Sequence, residues 1–161
     1  MSRKPPDRSA DRGRAVRVFV AGTFDGLHYG HLFLLTDARR RGADMVRRLG
    51  RSTVHLVVVA RDESVERIKG RAPHHNQNER RHLVTALQLV DEAFVGNRDD
   101  FIRSVRPVRP DLIMLGYDQS RSWEEILRTC GIAIPIVRSS RYHDRRLKSS
   151  ILRADLEQMR T

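Results

Sequence analysis

The chain has 161 residues, a formal net charge of +11 and a single cysteine, Cys130. That length fits one domain with an appendage, and it buries enough surface (~68–70% of what the unfolded chain exposes) to need no disulfide or structural metal. The lone cysteine excludes an intramolecular disulfide and a cysteine-rich zinc site, no apolar run approaches the ~18–20 residues of a membrane span, and the charged first residues lack the apolar core of a secretory signal.

Residues 1–15 are polar, proline-bearing and rich in alternating charge, which predicts a disordered basic arm. Residues 1–17 hold +4 of the charge and leave +7 to the body. Residues 16–21 form a short β-branched run, the first expected strand. Leu32, Leu35, Ala38, Met45, Val46 and Leu49 recur near a 3.6 period and predict a helix over 31–49, with Gly42 as a possible break. Residues 54–60 are continuously apolar, as in a buried parallel strand. A helix is expected over 78–89, a strand over 93–96 and a short helix over 99–105. A strand over 111–116 ends at Gly116, and a helix over 122–129 follows. The last expected strand, 132–137, contains Pro135 and so belongs near a sheet edge. Ser149 or Ser150 then caps a terminal helix that runs to Met159.

This alternation predicts an α/β fold, an open, doubly wound parallel sheet of about five strands with helices on both faces. Ligands of such sheets lie outside the carboxyl ends of the strands. The segments that follow the strands are therefore the informative ones. The first reads Gly22-Thr23-Phe24-Asp25-Gly26-Leu27-His28-Tyr29-Gly30-His31. Its glycines let backbone approach a ligand, and its entry into a helix makes an anion site of amides and dipole. His28 and His31, three apart beside a helix start, can donate hydrogen bonds to one phosphate. A metal pair is disfavoured because no third ligand stands nearby. Capping or core histidines are the plain alternative.

Gly22-Thr23-Phe24-Asp25 followed by His28-Tyr29-Gly30-His31 resembles the signature of the cytidylyltransferase-like nucleotidyltransferases. The later segments are similar in order. Ala60-Arg61-Asp62 with Lys69 resembles the phosphate-holding segment, and Lys148-Ser149-Ser150-Ile151 the second nucleotide motif. The likeness spans residues 16–155 and implies a single Rossmann-like nucleotidyltransferase domain over 16–161. It implies attack of a substrate phosphate on the α-phosphate of a nucleoside triphosphate, with release of pyrophosphate. His28, His31, Lys69 and Lys148 would then be catalytic. Gly22, Thr23, Phe24, Gly30, His31, Gly116, Asp118, Ser149 and Ser150 would bind nucleotide. Asp25, Lys69, Tyr117 and Gln119 would face the acceptor. Mg2+ or another divalent cation would ride on the phosphates with no direct protein ligand, Asp25 either touching it through water or only fixing its loop.

The ending Leu115-Gly116-Tyr117-Asp118-Gln119 resembles archaeal-type FAD synthases, whose reaction joins FMN to ATP. Asp118 is then the candidate for a ribose hydroxyl, with Tyr117 or Gln119 near the base. Simple loop packing is the alternative for Tyr117. A cytidylyltransferase acting on glycerol phosphate or a sugar phosphate shares every motif except that loop. A non-catalytic nucleic-acid-binding protein is the rival from another class. The charge invites it, but no basic patch interleaved with aromatics supports it. Only Lys4, Lys69 and Lys148 are lysines among 31 basic residues, and two of the three fall on motif positions. The stretch 41–52 is longer than the likeness leads one to expect, which predicts an extra helical turn or two. His74 and His75 are unusual in their loop and read as exposed. Trp123 reads as a packing anchor, and Cys130 as a small buried hydrophobe. A cytoplasmic homodimer with no membrane partner completes the expectation.

Overall fold

The computed structural model describes residues 15–50, 52–98, 101–120 and 122–142. The elements are β1 (Val16–Gly22), α1 (Tyr29–Leu49), β2 (Thr53–Val59), α2 (Asp62–Lys69), α3 (Gln77–Thr85), β3 (Glu92–Val95), α4 (Phe101–Val105), β4 (Leu112–Leu115), α5 (Ser122–Thr129) and β5 (Ile136–Arg138). A 3-10 turn, Arg106–Val108, leads from α4 toward β4. The expected arm and the expected terminal helix, with Lys148, Ser149 and Ser150, lie outside the described residues.

The five strands make one parallel sheet in the order β3-β2-β1-β4-β5. β1 explains why both faces are covered. Val16, Val18 and Val20 join one buried cluster, while Phe19 and Ala21 join the other. Side chains alternate across a strand, so a strand apolar at every other position on both sides must be covered twice. β4 repeats the division, with Leu112 and Met114 in one cluster and Ile113 and Leu115 in the other. α1 and α3 cover the first face with Leu34, Leu35, Ala38 and Val84. α4 and α5 cover the second with Ile102, Val105 and Leu127. The doubly wound α/β architecture is as expected. Its strand order reverses between β1 and β4, and there the carboxyl ends of neighbouring strands open a crevice.

Four local expectations are corrected. Gly42 does not break α1, which runs unbroken to Gly50, a left-handed residue (φ 64°) whose amide donates to the Val46 carbonyl. The long 41–52 stretch is thus largely helix, as expected. α2 was not anticipated, because its only buried residue is Val65 and a single position makes no stripe. β5 begins later than expected, since Pro135 precedes it, its carbonyl accepting from Ile113 N. β5 does lie at the sheet edge. Cys130 is exposed rather than buried. Trp123 packs on the second cluster with its ring 4.7 Å from Phe101, an anchor as expected.

Candidate active site

The crevice between β1 and β4 is floored by the loop that follows β1. A Cβ at Gly22 would lie 2.8 Å from Cε2 of Phe24, so only glycine lets that ring fold back over the strand end. Phe24 itself has φ 54°, a left-handed conformation that bulky residues seldom adopt. Its ring is wholly buried and stands 5.2 Å from the ring of His31. Phe24 was expected to bind nucleotide. Its ring has no exposed surface and forms the apolar wall behind His31.

His28 is the N-cap of α1 and His31 its third residue, and each caps the other's end of the turn. Nδ1 of His28 accepts from Gly30 N at 3.1 Å, and Nδ1 of His31 accepts from His28 N at 3.4 Å. The two rings lie 3.9 Å apart. A neutral imidazole whose Nδ1 accepts carries its proton on Nε2. Both rings therefore keep Nε2–H as the donor left for a ligand. Burial, then the charges of His28 and Lys69, hold the His31 pKa at about 3, against a weaker opposing pull from Asp25. Burial also lowers His28, against the pull of Asp118. His31 is thus a neutral donor throughout the physiological range. The capping alternative is what the structure shows, and it does not exclude the phosphate-facing one. The cap fixes the rings, and fixed rings are what a charge-stabilising pair needs. One expectation narrows. Gly30 N is already engaged by His28, so the helix end offers its dipole more than free amides.

Asp25 reaches across to the loop before α3. Its Oδ2 accepts from His74 N at 2.8 Å and its Oδ1 from His75 N at 3.0 Å. These two bonds fix the loop, one of its two expected roles. Behind this clasp lies Arg80, an arginine with no exposed surface. Its Nε donates to His75 O (2.9 Å), Nη1 to Thr23 O (2.6 Å), and Nη2 to Ala60 O (2.7 Å) and to Asp62. One guanidinium so ties together the loops after β1 and β2 and the start of α3. Sequence reasoning passed over Arg80. The available signal was its place four residues before Val84, on the buried face of a helix opened by the Asn76–Glu79 capping box.

The loop after β4 forms the opposite wall. Gln119 N donates to Gly116 O at 3.2 Å, closing a turn with Tyr117 and Asp118 at its tip. The Gln119 carboxamide is used inside the fold. Its Oε1 accepts from Gly116 N at 3.2 Å and its Nε2 donates to Ala21 O at 2.7 Å. Gln119 was expected near the base or the acceptor. In the structure it staples the β4 loop to the end of β1. The Tyr117 ring lies 5.7 Å from the Arg141 guanidinium.

Lys69 closes α2 on the same side of the sheet. Burial, followed by the positive charge of Arg71, lowers its pKa from 10.5, while Asp25 and Asp118 pull it back up. The residue as a whole stays exposed, so the shift bears on its chemistry rather than on stability. The charges of Lys69 and Asp25 act on His31, and those of Asp25 and Asp118 act on Lys69. Among the described residues no three acidic, histidine or cysteine side chains converge as a metal would require. No helix there is long and apolar enough to cross a membrane.

Comparison with known proteins gives the family. The family model described as cytidylyltransferase-like matches residues 19–155. An FAD synthase of Aciduliprofundum boonei is 43% identical over 132 residues, covering 80% of this chain and 81% of that protein. The FAD synthase of Korarchaeum cryptofilum is 42% identical over 141 residues, covering 85% and 89%. That of Thermoplasma volcanium is 35% identical over 147 residues, covering 89% and 96%. Among solved structures, the lipopolysaccharide core biosynthesis protein from Thermoplasma volcanium matches with a TM-score of 0.67 at 35% identity, covering 79% of this chain and 98% of that one.

Proposed function

The chain belongs to the cytidylyltransferase-like family, and from that premise we propose that it transfers AMP from ATP to FMN, giving FAD and pyrophosphate. The observation that carries the transfer chemistry is the reciprocal cap of His28 and His31 at the β1–β4 crevice. The FAD synthase relatives over most of the chain support FMN as acceptor.

A phosphate oxygen of FMN attacks the α-phosphorus of ATP. A new P–O bond forms as the bond to the β-phosphate breaks, and pyrophosphate leaves with the electron pair. No covalent intermediate is needed, so catalysis is alignment plus charge stabilisation. His28 and His31 donate through Nε2–H to the charge that builds on the transferring group. Because His31 stays neutral, it contributes a dipole and not a proton. Lys69 offsets the charge of the acceptor phosphate or of the triphosphate. Asp118, at the tip of the β4 loop, takes a ribose hydroxyl, with Tyr117 beside the base. Lys148, Ser149 and Ser150 hold the triphosphate in the same proposal, which rests for them on the resemblance alone. Asp25, its oxygens given to two amides, does not ligate metal directly. Magnesium carried on the phosphates supplies charge neutralisation when bound. A homodimer working in the cytoplasm, with residues 1–15 as an accessory arm, belongs to the same proposal.

The name of the solved relative, a lipopolysaccharide core biosynthesis protein, favours one second reading, a cytidylyltransferase acting on a sugar or glycerol phosphate. Pyrophosphate release with FMN and ATP, beside glycerol 3-phosphate or a heptose phosphate with CTP, separates the two. Turnover with CTP and a sugar or glycerol phosphate alone would replace the first reading with the second.

A further inference from the structure

We propose that Arg138 is a positioning residue for the nucleotide, acting through the β4 loop without touching the ligand. The inference rests on the reading of the Gly116–Gln119 turn as the nucleotide's wall. Arg138 ends β5, the edge strand beside β4, and is half-buried. Its Nη1 donates to Gly116 O at 2.8 Å and to Gln119 O at 2.7 Å. These are the carbonyls of the first and last residues of the turn. Its Nη2 reaches Ser120 O at 3.4 Å.

The guanidinium is itself aimed by Glu124 of α5. Nη2 donates to Glu124 Oε1 at 2.7 Å and to Oε2 at 2.9 Å, and Nε donates to Oε1 at 3.1 Å. Glu124 Oε1 thus accepts from two nitrogens of one fork, a geometry that fixes the plane as well as the position of the guanidinium. The same turn is held on its other side by Gln119, through Gly116 N and Ala21 O. The turn is therefore clamped from two directions, and the residues left at its tip are Tyr117 and Asp118. Asp118 is the carboxylate whose charge His28 and Lys69 both feel. Releasing Arg138 frees two carbonyls and lets that tip drift from the histidines. A lysine could reach one carbonyl but not two carbonyls and a carboxylate at once.

An interaction made equally in ground and transition states changes KM rather than kcat. ATP affinity measured by calorimetry without FMN, FMN affinity by flavin fluorescence, and steady-state kinetics are compared for wild type, Arg138→Met, Arg138→Lys and Glu124→Gln. ATP binding and its KM are expected to weaken about tenfold in Arg138→Met, a loss comparable to one charge-assisted hydrogen bond. FMN affinity should stay within about twofold, kcat should change less than KM, and Arg138→Lys and Glu124→Gln should fall between. Far-ultraviolet circular dichroism checks folding, and the lysine variant carries the test if the methionine variant does not fold. Wild-type ATP affinity in folded Arg138→Met or Arg138→Lys would overturn the proposal, as would equal losses for ATP and FMN. A wild-type protein that binds CTP and not ATP would instead overturn the proposed function, while the same comparison made with CTP still tests Arg138.

Discussion

At the scale of single residues, the pattern Gly22 to His31 was legible because each member has a reason visible in one dimension. Glycine follows a strand, and two histidines stand a helical turn apart. Which nitrogen carries the proton, and what encloses it, was not legible, because the wall is Phe24 and the partner amides fold back only in three dimensions. The depressed His31 has a consequence for pH. Its folded pKa is about 3, whereas an unfolded histidine titrates near ~6.5. Between those values the unfolded chain takes up a proton that the folded chain refuses. The stability contributed by neutral His31 is whole above about 6.5 and is lost as pH falls toward about 3. Activity should therefore show no acid limb near 6.5 from His31. Lys69, lowered from 10.5, should give kcat/KM for FMN or for ATP, whichever phosphate it faces, an alkaline fall below the ordinary lysine value. A pH–rate profile checks both. An acid limb near 6.5 that disappears in His31→Ala would contradict the neutral donor. Asp25→Asn tests the clasp. Asparagine keeps one acceptor oxygen, so one amide of the His74–His75 pair loses its partner, at a cost of about 1–2 kcal/mol in chemical denaturation. Unchanged stability would show that water replaces the carboxylate without loss.

At the scale of elements, period-2 and period-3.6 patterns carried most of the architecture. β1 and β4 are apolar on both sides because they are covered on both sides, and α1 keeps its stripe through Gly42. α2 escaped notice because it is a short, charged helix with one buried residue, Val65. Arg80 and Arg138 escaped for a different reason. In a chain with 28 arginines no single one stands out, and only the fold tells a solvated arginine from one that gathers the carbonyls of several loops. Removing Arg80 leaves three part-buried carbonyls and Asp62 without their shared donor. Arg80→Met should lower stability by about 3–5 kcal/mol, as expected for breaking a buried charged network, and should reduce turnover in whatever fraction stays folded. Thermal melts with activity per folded molecule test this. A melt within a degree or two of wild type would mean the loops are held by something other than this guanidinium.

At the scale of the whole molecule, the strand order alone locates the crevice, between β1 and β4. Of the net charge of +11, residues 1–17 hold +4 and the rest of the chain +7. The body's share suits a site for a triphosphate and a phosphorylated acceptor. Deleting residues 1–14 should leave kcat/KM within about twofold, because none of the motif residues lies among them. A large loss, restored by low salt, would give the arm a part in substrate capture.

The central claim is that the paired histidines at the β1–β4 crevice make FAD. Purified protein given FMN, ATP and magnesium, with FAD and pyrophosphate separated by chromatography, tests it directly. The account predicts equal amounts of the two products from wild type, and a rate lower by about 10²–10³ in a folded His31→Ala variant. No FAD from wild type, or undiminished FAD from His31→Ala, would contradict it.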